Sequence, residues 1–274
     1  RSPVEPAVRQ MSEQPLALIS NDDGFDSVFL RELTKSASEL FEVVVCAPAE
    51  EQSWIGHAIS RNRRLVPETV KGFPGSAYKL NGTPADCVNF ALGHLMPRKP
   101  EVVISGINLG YNVTLPMVLS SGTVGAALEG ALHGIRSVAS SMALPVEEFD
   151  EIRESKGQVS GELMDSLRES SRRSAIHALA LCEKPAESEL VVHNLNFPEN
   201  TSSQTELVKA FPDNLRLGSL FQPMQDGNGY GLVYQTEWLD VTTPTEGSDL
   251  AALRNSQASA ARLNFSGIRT QHLP

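Results

Sequence analysis

Four short polar stretches carry residue types that can do chemistry. SNDDG (Ser20–Gly24), APAEEQS (Ala47–Ser53) and SGINLGYN (Ser105–Asn112) supply oxygen donors from Asp22, Asp23, Ser53 and Asn108. Oxygen is the ligand type that Mg²⁺, Mn²⁺ and Ca²⁺ prefer, and no cluster of His and Cys nearby competes for a softer metal. Asp22 and Asp23 are adjacent, and like charges that close raise each other's ionisation cost. A cation would resolve that conflict, because each carboxylate is attracted to it more strongly than to its neighbour it is repelled. Asn-Asp-Asp-Gly is also a set of preferred turn residues, and taken alone the motif reads as a turn. The recurrence of polar donors in three motifs moves the reading toward a metal site.

The fourth stretch, SSGTVGAALEG (Ser120–Gly130), places Ser121, Gly122 and Thr123 where a helix of small residues begins. Backbone N–H groups and hydroxyls at such a start suit a phosphate; the alternative is an ordinary N-cap. A hard cation beside an anion-binding helix start points to metal-assisted hydrolysis of a phosphate ester, in which the metal polarises a phosphoryl oxygen and acidifies the attacking water. A serine-hydrolase elbow is absent, since GINLG and SGTVG lack the G-x-S-x-G spacing. His57 in SWIGHAIS is either a catalytic group or a simple loop residue. Asp86 in NGTPADC either touches substrate or fixes the first turn of a helix.

These motifs need elements to position them. Leu16–Ser20 and Glu42–Ala47 are apolar runs, the second rich in Val, and Val28–Leu40 between them has helical spacing. That is a β-α-β unit with a parallel return. Val102–Ser105 reads as a buried strand, preceded by a helix over Pro84–Leu95 that starts at Thr83-Pro84. Gly122–Gly134 reads as a helix and Ser137–Ala143 as a strand. The expected fold class is therefore α/β: a doubly wound, mostly parallel, Rossmann-like sheet in a three-layer sandwich. Ligands of such sheets gather at the carboxyl ends of the strands, where the three donor motifs fall. After Leu144 the pattern weakens. A helix emerges around Leu163–Leu181, a strand over Leu190–Asn194 ending in a polar turn, a strand over Gly229–Thr236 and a short helix over Asp249–Arg254.

Composition limits the partners. The chain has 274 residues, 41% hydrophobic, with a net charge of −10 and a pI near 5.1. That balance argues against nucleic acid or an anionic membrane as partner. Three cysteines without CxxC spacing suggest a reducing compartment, no zinc site and no disulfide framework. Residues 1–15 read as a flexible leader or vector-derived remnant, with Met11 as the expected native start and no apolar signal-peptide stretch. Residues 16–274 are expected to form a single unit that becomes more variable from about residue 145.

Taken in order, the motifs resemble those of the SurE survival-protein nucleotidases. SNDDG, AP-x-x-x-x-S, NGTPADCV (81–88), SGIN-x-G-x-N, SGTV-x-A-A-x-E-G and, more loosely, NLNFP (194–198) and GSDLAAL all appear in the family's order. The resemblance implies a divalent-metal-dependent phosphatase acting on nucleoside 5′- and 3′-monophosphates. It implies one Mg²⁺ or Mn²⁺ per subunit on Asp22, Asp23, Ser53 and Asn108, with Asp22, Asp23 and Asn108 catalytic. Asn112, Ser121, Gly122 and Thr123 would lie around the phosphate. It further implies a homodimer or tetramer using a C-terminal extension, in the cytoplasm. The chain departs from the family's pattern after Asn112, where VTLPMVL is apolar, and at Ser120. Both departures fall in the loop that faces substrate in the family, over 113–119 and Ser120, so they bear on base preference and turnover more than on metal binding. The rivals are a nucleotide-binding module without turnover, a polyphosphate-directed phosphatase, and an aspartyl-phosphate enzyme. The last typically needs carboxylates one residue apart, which the adjacent pair does not provide.

Overall fold

The computed structural model describes residues 14–185, 187–224, 227–232 and 243–269. Its centre is a nine-stranded sheet in the order β3-β4-β2-β1-β5-β6-β7-β11-β8. The strands are β1 (Leu16–Ser20), β2 (Glu42–Pro48), β3 (Pro67–Val70), β4 (Ser76–Leu80), β5 (Val102–Leu109), β6 (Arg136–Met142), β7 (Val191–Phe197), β8 (Leu207–Ala210) and β11 (Ala258–Asn264). A separate antiparallel hairpin joins β9 (Phe221–Pro223) to β10 (Tyr230–Leu232). The central pairings are parallel, and only β3–β4 and β7–β11 run antiparallel within the large sheet. This is the expected mostly parallel α/β sheet.

Helices cover both faces because alternate strand residues are apolar in both directions. On one face α1 (Val28–Ser38) and α6 (Gly161–Cys182) pack over Ala17, Ile19, Val43, Val45 and Ile104. On the other, α2 (Pro84–His94) and α4 (Gly122–Leu132) pack over Leu16, Leu18, Val44, Cys46 and Val103. The chain winds outward from β1 in one direction through β2, then returns to place β5 on its other side. The reversal lies between β1 and β5, and the carboxyl ends of strands at such a reversal are where sheets of this kind bind ligands.

Several expected bounds shift. β5 continues four residues beyond Ser105 through an irregularity between Ser105 and Asn108, where the Gly106–Ile107 peptide is cis. A Cβ on Gly106 would stand 2.2 Å from the Ser140 carbonyl oxygen, so β5 approaches β6 there more closely than any side chain permits. The polar turn expected after Asn194 is instead strand, with Asn194 and Asn196 both buried in β7. The expected apolar loop over 113–119 is largely a short helix, α3 (Leu115–Ser120), with Pro116 in its first turn. The strand expected over Gly229–Thr236 is β10, and residues 233–236 lie outside the described residues, as does Met11. Among the described residues two further α-helices are α5 (Phe149–Glu154) and α7 (Asp249–Arg254), the latter with the expected bounds. Among the described residues, no helix is long and apolar enough to cross a membrane.

Asp86 fixes the first turn of α2, the structural alternative of the two posed by NGTPADC. The Thr83 N–H donates to its Oδ2 at 2.9 Å, and the Asp86 N–H donates to Thr83 Oγ1 at 3.0 Å. This reciprocal cap satisfies two donors that a helix start leaves open. The Ser60 N–H donates to Asp86 Oδ1 at 3.0 Å and Thr83 Oγ1 donates to the Ala58 carbonyl at 2.6 Å, so the cap also holds the long loop that follows β2. Asp86→Ala is expected to lower stability by about 1–2 kcal/mol, read as a Tm drop of roughly 2–8 °C for a chain of this size.

Candidate metal and phosphate site

At the carboxyl end of β1 the chain turns through Asn21-Asp22-Asp23-Gly24, closed by a 2.9 Å bond from Asn21 Nδ2 to the Gly24 carbonyl. Asp22 is 3% exposed and points at the start of α4. Its Oδ1 accepts the Thr123 hydroxyl proton, and the Thr123 N–H donates to the same carboxylate. A Cβ on Gly122 would meet Asp22 Cβ at 2.8 Å, so the absent side chain is what lets the carboxylate reach the helix start. From the other side, the Gln52 N–H donates to the Asp22 carbonyl at 2.7 Å. Asp23 turns to the end of β5, where its Oδ2 accepts the Leu109 N–H at 3.0 Å.

Burial opposes ionisation of both groups. It lifts Asp22 to about 6 against the Thr123 hydrogen bonds. It lifts Asp23 well above the usual carboxylate range, and the charge of Asp22 adds to this. Glu51 adds a further repulsion to each. Sequence reasoning missed Glu51 as a member of this site, although it stands inside the quoted APAEEQS. The local field is therefore strongly negative, and a cation is the group that would relieve it.

The structure brings Asp22, Gly122 and Thr123 into direct contact and ties Asp23 to Leu109, the neighbour of Asn108. Asn108 is mostly buried, with Nδ2 donating to the Gly110 carbonyl at 2.9 Å. Ser53 is exposed and donates to Glu51 Oε1 at 2.8 Å, one residue beyond the Gln52 that touches Asp22. Ser121 caps α4, its Oγ accepting the Val124 N–H at 3.1 Å. Asn112 sits in a different network. Its N–H donates to Asn196 Oδ1 at 2.7 Å, its Nδ2 donates to Ser141 Oγ at 2.8 Å, and its carbonyl accepts from Asn194 at 2.8 Å and Asn196 at 3.2 Å.

His57 engages α4. It lies 2.6 Å from Glu129 Oε2, while Asn89 and His133 meet Oε1 at 2.7 Å and 3.1 Å. Burial works to raise Glu129, but the bonds from Asn89 and His57 outweigh it and hold the carboxyl below its usual range. Together with the bond from the Gly56 N–H to the Ser120 carbonyl, this fastens the loop after β2 across α4.

No group of three His, Cys, Asp or Glu converges to hold a metal among the described residues. A cation at the Asp pair would thus draw on two carboxylates, neutral oxygens and water, a set that suits a hard ion with several retained waters. Two clefts elsewhere, one beside Leu92, Met96 and Lys99 and one beside Leu181, Lys184 and His193, lie at the amino ends of the strands, away from these carboxylates.

Comparison with known proteins identifies the family and the fold. Residues 17–214 match the family model described as survival protein SurE. A 5′-nucleotidase SurE of Rhodopirellula baltica is 32% identical over 256 residues, covering 92% of this chain and 93% of that protein. The 5′-nucleotidase SurE of Cytophaga hutchinsonii is 49% identical over 131 residues, 47% of this chain and 50% of that protein. The match thus spans about half the length of the Cytophaga relative. The crystal structure of the SurE protein from Aquifex aeolicus shares the fold, with a TM-score of 0.67 over 91% of this chain and 93% of that one at 24% identity. The chain belongs to the SurE survival-protein family.

Proposed function

We propose that the chain is a divalent-metal-dependent phosphatase that hydrolyses nucleoside 5′- and 3′-monophosphates to nucleoside and phosphate. The observation that carries this reading is the adjacent pair of buried Asp22 and half-buried Asp23, both resisting ionisation, at the switch point of the sheet and against a helix start. Relatives named 5′-nucleotidase SurE support the substrate class. In this reading Asp22 and Asp23 hold one Mg²⁺ or Mn²⁺ per subunit, with Ser53 and Asn108 completing the set. The cation supplies Lewis-acid charge and an acidified water for attack on phosphorus.

The chain's own groups do the remaining work. One of the two carboxylates would take the proton of the attacking water as the P–O ester bond breaks, the departing nucleoside oxygen would take up a proton from solvent, and no covalent phosphoenzyme would form. Asn112, Ser121, Gly122 and Thr123 surround the phosphate. The Thr123 hydroxyl donates to Asp22 here, and it would be available to a phosphate if a cation took over that carboxylate. Residues 16–274 act as one unit, in a homodimer or tetramer, within the cytoplasm.

Phosphate release from nucleoside monophosphates, with Mg²⁺ or Mn²⁺, tests the reading. Asp22→Asn and Asp23→Asn are each expected to lower kcat/KM about 100-fold or more. Unchanged turnover in Asp23→Asn, or none in the parent protein with either metal, would sink it.

The raised carboxyls also link metal binding to pH. Both folded-state values lie above the unfolded ones, so the folded metal-free protein holds extra protons above about pH 4. The contribution of the two groups to its stability is fullest below that, and the part from Asp22 is lost as pH rises through about 6. Metal binding must expel those protons. Titration calorimetry with Mn²⁺ is therefore expected to show affinity rising between pH 5 and 7, by about tenfold per unit for each proton released. A pH-independent affinity would contradict the assignment.

A further inference from the structure

The turn between β5 and α3 contains the most constrained backbone near the site. Thr114 has φ 66° and ψ 151°, a conformation that a β-branched residue rarely adopts. Such a residue persists only where its surroundings over-determine it. Its hydroxyl is buried without a hydrogen-bond partner, so the side chain does not hold the turn. The backbone does. The Thr114 N–H donates to Asp249 Oδ2 at 3.0 Å, and the next N–H, of Leu115, donates to the Asp213 carbonyl at 2.8 Å.

Both acceptors come from the far end of the chain. Asp249 is fully buried at the start of α7, and its Oδ1 takes the N–H groups of Asp213 at 3.0 Å and Leu250 at 2.8 Å. Asp213 in turn accepts from the Thr245 N–H and hydroxyl, each at 2.8 Å, and from Ser248 Oγ at 2.9 Å. Val113 seals the contact apolarly against Leu215 and Leu250. Asn112, two residues before Thr114, is fixed from the other side by Asn194 and Asn196. The Asp249 carboxylate and the Asp213 carbonyl thus close the turn that follows Asn112, and Asp249 also holds the Asp213 N–H in place.

We propose that Asp249 is a positioning residue, whose carboxylate clamps the strained Thr114 peptide and so fixes the position of Asn112, the residue that the phosphatase reading sets beside the substrate phosphate. The proposal rests on the phosphatase reading for its activity arm and on geometry alone for its structural arm. Asn at 249 retains an oxygen for Asp213 and Leu250 but turns an NH₂ toward the Thr114 N–H, donor against donor. Glycine at 114 adopts the same φ and ψ freely, and it gives up no hydrogen bond from the Thr114 side chain.

The test compares the parent, Asp249→Asn, Thr114→Gly and the double variant at pH 8. Burial lifts Asp249 to about 6, so it is a carboxylate there. Asp249→Asn is expected to raise KM for a nucleoside monophosphate about tenfold while Mn²⁺ affinity stays within about twofold, since Asp22 and Asp23 are untouched. Amide exchange over 110–115 is expected to quicken, with β1 still protected. The double variant is expected to recover most of the KM, whereas a merely structural loss would deepen when glycine is added. An unchanged KM and unchanged exchange in Asp249→Asn, or a double variant worse than the single, overturns the proposal. If Asp249→Asn alone does not fold, the double variant must, and its failure also overturns the proposal. The exchange arm reads out whether or not the parent protein hydrolyses nucleotides, which separates failure of this inference from failure of the phosphatase reading.

Discussion

Two adjacent carboxylates, Asp22 buried and Asp23 half-buried, stand at the end of the central strand, and much of the surrounding structure answers that constraint. Left alone, such a pair would neutralise, because burial and mutual repulsion both favour the protonated form. Asp22 is met by the start of α4, whose N–H groups carry partial positive charge, and by the Thr123 hydroxyl. Asp23 is met by the Leu109 N–H at the end of β5. Glycine at 122 is required because any side chain would occupy the space that Asp22 fills. These contacts moderate the repulsion without cancelling it, and Glu51 adds to it. A site so arranged favours a cation over any neutral occupant.

The long segment after β2 is held by the same logic of distributed contacts. It is pinned at Gln52 to Asp22, at Gly56 to Ser120, at His57 to Glu129, and at Ser60 to Asp86. Each contact is modest, but they fall at intervals of a few residues along a segment with no regular structure. Ser53 and Glu51 are therefore carried beside the Asp pair on a braced loop, and the pre-organisation that a charged site needs is built from backbone bonds.

Much of this was legible in the sequence because parallel strands are continuous apolar runs and their carboxyl ends collect ligands. β1 and α7 have the bounds expected, and the donor motifs fall at the ends of β1, β2 and β5. β3 escaped notice because three of its four residues are exposed and its pattern carries no burial signal. α6 was only partly visible because its buried face includes Ser166, Ser170, Ser171 and Ser174, small residues that permit close packing without apolar periodicity. β7 was cut short because Asn194 and Asn196 look like turn residues, yet they serve Asn112 across the sheet. The pairing of Asp213 and Asp249 with the turn at Thr114 and Leu115 carried no local signal, since the partners lie about a hundred residues or more away in sequence. What pattern reading misses here is polar contact between distant segments, which has no period.

The most direct measurement is an anomalous difference map from crystals grown with Mn²⁺ and a nucleoside monophosphate or inorganic phosphate. The account predicts one peak per subunit within bonding distance, about 2.0–2.3 Å, of carboxylate oxygens from both Asp22 and Asp23, with the phosphate beside the start of α4. A peak elsewhere, or a well-ordered phosphate with no metal at the Asp pair, would contradict it.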